Sequence, residues 1–287
     1  MILFENRASI VLYNVLKTFT DNRKFLLPLN VCPIVPDTFK KANIEFEFID
    51  INLTTLCMDE SIILEKIKKD KEINGLLFVK TFGIDIDVEP LFKEIKSINR
   101  DLFIIDDMCP SIQYFDYNID DSYADLALFS SGYSKYVDIG YGGYGFLKDN
   151  DFKNIFIDKR ESLEFIEYQD KVEKEIALMK VHKEELNSIY KSILPEDIFI
   201  GEQFNNWRFS ILVDNKDEIL TEIFKIEGLF ASSHYPQVDF DYVSNPMQNS
   251  NTKKIHDRII NLFNDFRFTK EKAYLVSEIV TKRLRRR

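Results

Sequence analysis

Short apolar runs and segments of helical period alternate along the first half of the chain. Residues 25–29, 44–49, 75–80, 102–107 and 125–129 are of strand length and rich in Phe, Ile, Leu and Val. That is the pattern of strands buried on both faces. Between them, residues 8–19, 59–69 and 88–97 repeat apolar positions every three to four residues and read as amphipathic helices. The alternation predicts an α/β fold with a mostly parallel sheet covered by helices on both faces, over a large domain of residues 1–157. In such sheets ligands bind at the carboxyl ends of the strands, so the residues that close each strand are the first candidates for chemistry.

From residue 158 the pattern changes. A highly charged stretch carries Leu163, Ile166, Val172, Ile176, Met179, Leu186 and Ile193 at roughly helical spacing, which reads as one long helix, or two with a break, ended by Pro195. This helical connector is placed at residues 158–200. Residues 201–287 read as a small C-terminal α/β domain. It holds a strand from Trp207 (WRFSILV), a helix over 216–225, a polar loop over 244–252 and a final pair of helices.

Composition narrows the function classes. Of 287 residues 45% are hydrophobic, with 25 Phe and 13 Tyr against only 9 Gly and 8 Pro, so the chain packs a core and is not disordered. A net charge of −10 opposes a general nucleic-acid role, which needs a basic face. The basic tail KRLRRR suits the end of a helix and reads as solvated. Cys32, Cys57 and Cys109 are odd in number and widely spaced, unlike a disulfide framework or a zinc site, so no metal is expected. With no membrane-length apolar run and no signal-peptide pattern, the expected location is the cytoplasm, away from membranes.

Two segments carry candidate chemistry. The first, FSSGYSKYVDIGYGGYGF at residues 129–146, combines a strand end, a Ser-rich turn, the single lysine Lys135 and a Gly-dense stretch. A lysine just past a buried strand end is open to desolvation, which lowers its pKa and favours Schiff-base chemistry. A strand-to-hairpin turn with a surface lysine has the same pattern. The second is LFIIDD, which ends a strand in Asp106 and Asp107. A carboxylate there can keep a pyridine nitrogen protonated, and it equally suits a helix cap or a metal. Its weight comes from lying one strand upstream of Lys135.

Together the blocks LFIIDDMCPSI and DLALFSSGYSKYVDIGYGGYGF resemble the DegT family of sugar aminotransferases, within the fold-type I enzymes that use pyridoxal 5'-phosphate (PLP). The matched positions are Asp107, Ser130, Lys135, Gly140, Gly142 and Gly143. LPLNVCPIV, KTFGIDIDVEPL, NRASIVLYNVL and FRFTKEKAYLVSEIV resemble further parts of that family, so the likeness spans nearly the whole chain. The resemblance implies that Lys135 is the catalytic lysine that holds PLP and moves the proton in transamination. It implies that Asp107 pairs with the pyridine nitrogen, and that Ser130 with Arg7, Ala8 and Ser9 anchors the phosphate. Cys32 stands where the family stacks an aromatic or histidine on the ring, and Pro110 where it has a glutamine. SSHYP resembles a stretch near the active-site mouth, making His234 a substrate candidate. Tyr141 and Arg208 are further substrate candidates, the latter for a carboxylate, although a lone histidine is more often structural and Arg208 also suits an ordinary strand position.

The implied function is transfer of an amino group, with glutamate as donor, onto a nucleotide-linked keto-sugar for surface polysaccharide, by a homodimer. The chain departs from the family in a short N-terminal arm and in having no Asn-x-Arg segment between Asn150 and Pro195. Those losses motivate an alternative, a catalytically degenerate relative serving as a ligand-binding or interaction module. Sugar dehydration by PLP is a third reading, which the retained lysine disfavours.

Overall fold

The computed structural model describes residues 1–21, 23–148, 162–204 and 207–285. The chain runs β1 (Ile2–Glu5), α1 (Ala8–Leu16), β2 (Lys24–Pro28), α2 (Ile34–Ala42), β3 (Glu45–Ile49), α3 (Glu60–Lys69), β4 (Ile73–Val79), α4 (Glu89–Ile98), β5 (Phe103–Asp107), β6 (Leu126–Ser130) and β7 (Gly143–Leu147). It continues with α5 (Leu163–Ile193), β8 (Phe209–Leu212), α6 (Lys216–Phe224), β9 (Ala231–Ser232), α7 (Asn251–His256), β10 (Ile259–Leu262) and α8 (Lys270–Leu284).

Seven strands form one sheet in the order β1-β7-β6-β5-β4-β2-β3. Strands β2 to β6 pair in parallel, while β7 is antiparallel to both β6 and β1. Side chains alternate along each strand and sort the core into two layers. Phe25, Leu27, Leu77, Ile105 and Leu128 pack with Val11, Leu12 and Val15 of α1 and with Val35 and Phe39 of α2. Leu26, Leu76, Phe78, Ile104 and Phe129 face the other way, onto Ile63 and Ile67 of α3 and Leu91, Phe92 and Ile95 of α4. Each such side chain contributes about 1.5–3 kcal/mol when fully buried, so a one-residue slip in register would expose a whole layer.

A three-stranded sheet, β8-β10-β9, forms the second, smaller layer with α6 and α8. The long helix α5 serves both. Its Phe165, Tyr168, Val172 and Met179 pack with the large sheet, and its Leu186, Ile189 and Tyr190 with the small one. The boundary expected at residue 157, and the start of the expected helix at 158, lie outside the described residues. The expected final pair of helices is corrected to helix, strand, helix, because Ile259–Leu262 pairs with both β8 and β9. No helix among the described residues is long and apolar enough to cross a membrane.

Inside α5, Lys183 is buried and donates to Trp207 O and Asn264 Oδ1, each at 2.8 Å. Burial pushes its ammonium down to about 7. Between that value and the ordinary lysine range the unfolded chain holds a proton that the folded chain has released. Unfolding free energy therefore rises with pH across this window, by about 1.4 kcal/mol per unit from this group, and the gain is lost as pH falls through 7. Urea melts of Lys183→Met are expected to lack that slope relative to the unmodified protein, whatever their absolute stability.

Candidate active site

Strand alternation decides which of the two aspartates ending β5 is available. Asp106 follows Ile104 onto the α3/α4 face, where its carboxylate lies 3.6 Å from Lys80 Nζ; burial pushes it up to about 6 against the pull of that ammonium. Asp107 follows Ile105 onto the α1/α2 face. There its Oδ1 accepts from Cys109 N at 2.9 Å, and its backbone oxygen accepts from Lys80 N at 3.1 Å.

Lys135 sits on a loop whose two ends are pinned to each other. The chain leaves β6 at Ser130 and re-enters the sheet at Gly143, which is the register partner of Ser130. Ser131 N donates to Gly142 O at 3.1 Å, and Ile139 N returns to Ser131 O at 3.0 Å. Glycine is required where this loop meets α1. A Cβ on Gly143 would lie 1.9 Å from Ala8 N, and one on Gly142 (φ +93°) would lie 2.2 Å from the Tyr168 ring. The Gly-dense stretch thus lets β7 close against the start of α1, and Lys135 and the helix N-terminus share one cavity.

That cavity measures about 370 Å³. Asp107, Ser130 and Lys135 line it, as do Arg7, Ala8 and Ser9 at the start of α1, and Cys32 and Pro110. Helix α1 begins after Arg7 with no side chain capping it and no acidic residue in its first turn, so its leading amides have no intrahelical acceptor. An anion is favoured at that end. The Lys135 amine makes no hydrogen bond or ion pair to another described residue. Its pKa lies above the ordinary lysine value, which corrects the expectation of a lowered one. Burial does pull it down, but the negative charge that Cys109, Tyr235, Asp107 and Cys32 can carry outweighs burial. Cys109 and Tyr235 are themselves pushed up by burial.

The three substrate candidates do not line this cavity. His234 stacks on Trp207 with ring centroids 5.6 Å apart, and its ring is held below the ordinary range by burial and by Arg208. Tyr141 lies 5.1 Å beneath Lys171 Nζ on the outer side of the loop. Arg208 is buried and donates from Nη2 to Ser134 Oγ at 2.9 Å and from Nη1 to Ser232 Oγ. Its guanidinium is spent inside the protein. Residues not singled out from sequence take part instead, namely Tyr235, Asn30, Cys109, Tyr133 and Ile34. Tyr235 follows His234 directly, and only the fold decides which neighbour faces inward. Asn30 and Cys109 lie two residues past Pro28 and Asp107, at strand exits that the parallel-sheet rule already marked. Gln113 reaches from below to donate to Ser130 O at 2.5 Å.

No protein-family profile matches the chain, and no curated protein matches it. Solved structures do. The chain superposes on DesI, determined in the presence of its TDP-sugar product, with a TM-score of 0.79 at 13% identity, over 99% of this chain and 83% of that one. It superposes on DesV of S. venezuelae with a TM-score of 0.76 at 13% identity, over 98% and 84% of the two chains. PseC of Helicobacter pylori, an aminotransferase involved in the biosynthesis of pseudoaminic acid, gives 0.73 at 16% identity, over 98% and 86%. The chain therefore shares the α/β fold of these structures, with its candidate site at the carboxyl edge of the large sheet.

Proposed function

We propose that this chain is a PLP-dependent aminotransferase that moves an amino group from glutamate onto a nucleotide-linked keto-sugar used for surface polysaccharide. The observation that carries the reading is that Lys135, Asp107 and the uncapped start of α1 line a single cavity. An amine, a carboxylate and an anion seat match the aldehyde, the ring nitrogen and the phosphate of PLP. When bound, PLP supplies an electron sink for the carbon that loses or gains a proton.

This chain's own residues supply the rest. Asp107, fixed by Cys109 N, would pair with a protonated ring nitrogen. Arg7, the amides of Ala8 and Ser9, and the hydroxyls of Ser9 and Ser130 hold the phosphate. Cys32 and Pro110 line the cavity and would offer the ring less contact area than an aromatic and a glutamine. Lys135 would remove the proton from the carbon that gives up the amino group and return one to the carbon that receives it. A nucleotide-linked sugar is supported by DesI, determined in the presence of its TDP-sugar product, and by the resemblance around Lys135. The resemblance also supports a homodimer.

Mixing purified protein with PLP is expected to give visible absorbance distinct from free PLP. Added glutamate should convert bound PLP to its amine form, and a nucleotide-linked keto-sugar should restore the starting spectrum. Absence of the first change would overturn the reading. Absence of the second alone would favour a ligand-binding module.

A further inference from the structure

Ser134, the residue immediately before Lys135, adopts φ +60°, a left-handed conformation that side chains other than glycine adopt at a cost. Every polar atom of this serine is engaged. Its N–H donates to Asp138 Oδ2 at 2.8 Å, its carbonyl accepts from Trp207 Nε1 at 2.6 Å, and its hydroxyl accepts from Arg208 Nη2 at 2.9 Å. Two of those three partners come from the start of the small sheet. Surroundings that over-determine a strained residue beside a reactive one point to geometry as the purpose.

Arg208 is itself an expensive choice for this place. Its guanidinium lies 4.2 Å from the Trp207 ring centroid and 3.7 Å from that of Phe263, and the residue is 3% exposed. Neither of its hydrogen-bond partners, Ser134 and Ser232, is a carboxylate. Burying a cation on two hydroxyls sacrifices solvation that an ion pair would have returned in part, and burial holds the group down to about 10. What the fork gains is reach in two directions. One arm holds the residue before Lys135; the other holds the end of β9, three residues before Tyr235, which lines the same cavity.

We propose that Arg208 is a positioning residue for Lys135: with Trp207 it pins Ser134, and so sets where the lysine amine points relative to Asp107. The proposal rests on the aminotransferase reading. It replaces the expectation that Arg208 binds a substrate carboxylate, and it makes the small sheet part of the machinery that aims the lysine.

The test uses PLP and L-glutamate in single-turnover measurements on the unmodified protein, Ser134→Ala, Arg208→Met and Arg208→Lys. All should take up PLP on Lys135, seen as a covalent mass after borohydride. At saturating glutamate the rate is expected to fall about tenfold or more in Ser134→Ala and Arg208→Met, because small misplacements of a reacting group are costly. Arg208→Lys, which keeps one donor, should fall less. The glutamate concentration for half-maximal rate should change by less than about twofold, as for an interaction that does not touch substrate. Rates within about twofold of the unmodified protein would overturn the proposal. So would weakened glutamate binding at unchanged maximal rate, which would return Arg208 to carboxylate recognition. If Arg208→Met does not fold, Ser134→Ala, which removes only a hydroxyl, decides. An unmodified protein that takes up no PLP overturns the aminotransferase reading and this proposal with it.

Discussion

Lys135→Ala is expected to leave a folded protein that no longer transfers amino groups, with turnover down by about 10³-fold or more. The magnitude follows from what the side chain supplies. It is the amine that lines the cavity facing Asp107, and a positioned acid–base group alone contributes about 10²–10⁴-fold, to which loss of covalent attachment adds. Folding should survive, because the amine makes no hydrogen bond to another described residue and the loop is held by backbone bonds, such as Ser131 N to Gly142 O at 3.1 Å. The check is a matched pair of measurements, thermal melting and single-turnover rate. An unchanged rate would remove Lys135 from the chemistry; a collapsed melt would show it to be part of the frame.

Asp107→Asn is the second large effect. Asparagine keeps an oxygen for Cys109 N, so the strand end at β5 should hold its shape. It cannot keep a pyridine nitrogen protonated by charge. Removing one preorganised electrostatic group from an enclosed site costs about 10²–10³-fold in rate, and that is the loss expected here. A second consequence follows from the pKa argument. Lys135 stands above its ordinary value because the negative charge that Cys109, Tyr235, Asp107 and Cys32 can carry outweighs burial. Asparagine removes one of those contributions, so the lysine should titrate lower. The pH midpoint for acylation of Lys135 by a small amine reagent should therefore move down in Asp107→Asn, and an unmoved or raised midpoint would contradict this account of the site.

Much of the large sheet was legible because its strands are buried on both faces and leave long apolar runs. The run at 102–107 corresponds to Phe103–Asp107, and that at 125–129 to Leu126–Ser130. What sequence concealed was antiparallel and short. Gly143–Leu147 reads as a Gly-rich turn, yet it is a strand because its glycines let it close on α1. Ile34–Ala42 contains Pro36 and follows Pro33, residues that obscure a helix in the sequence. Pro33 is in fact tolerated at the helix start, and Asn43 ends the helix at φ 61°.

The candidate site divides in the same way. Asp107, Lys135, Ser130 and the start of α1 were marked by the family resemblance, and the fold brings them to one cavity. Substrate candidates fared differently, because they depend on which way a side chain turns. Whether His234 or Tyr235 faces the cavity is set by how that segment packs on Trp207 and Asn261, and no spacing rule reaches those contacts. Lys183 is hidden for a related reason. In a helix as charged as α5 a lysine reads as solvated, and only the packing of Trp207 and Asn264 over it makes it a buried cation.

The most direct test of the central claim is to incubate the protein with PLP, reduce it with borohydride, digest it and locate the added mass by peptide sequencing. The account predicts the reduced cofactor on the nitrogen of Lys135. Its appearance instead on Lys80, on Lys183 or on no single lysine would contradict it.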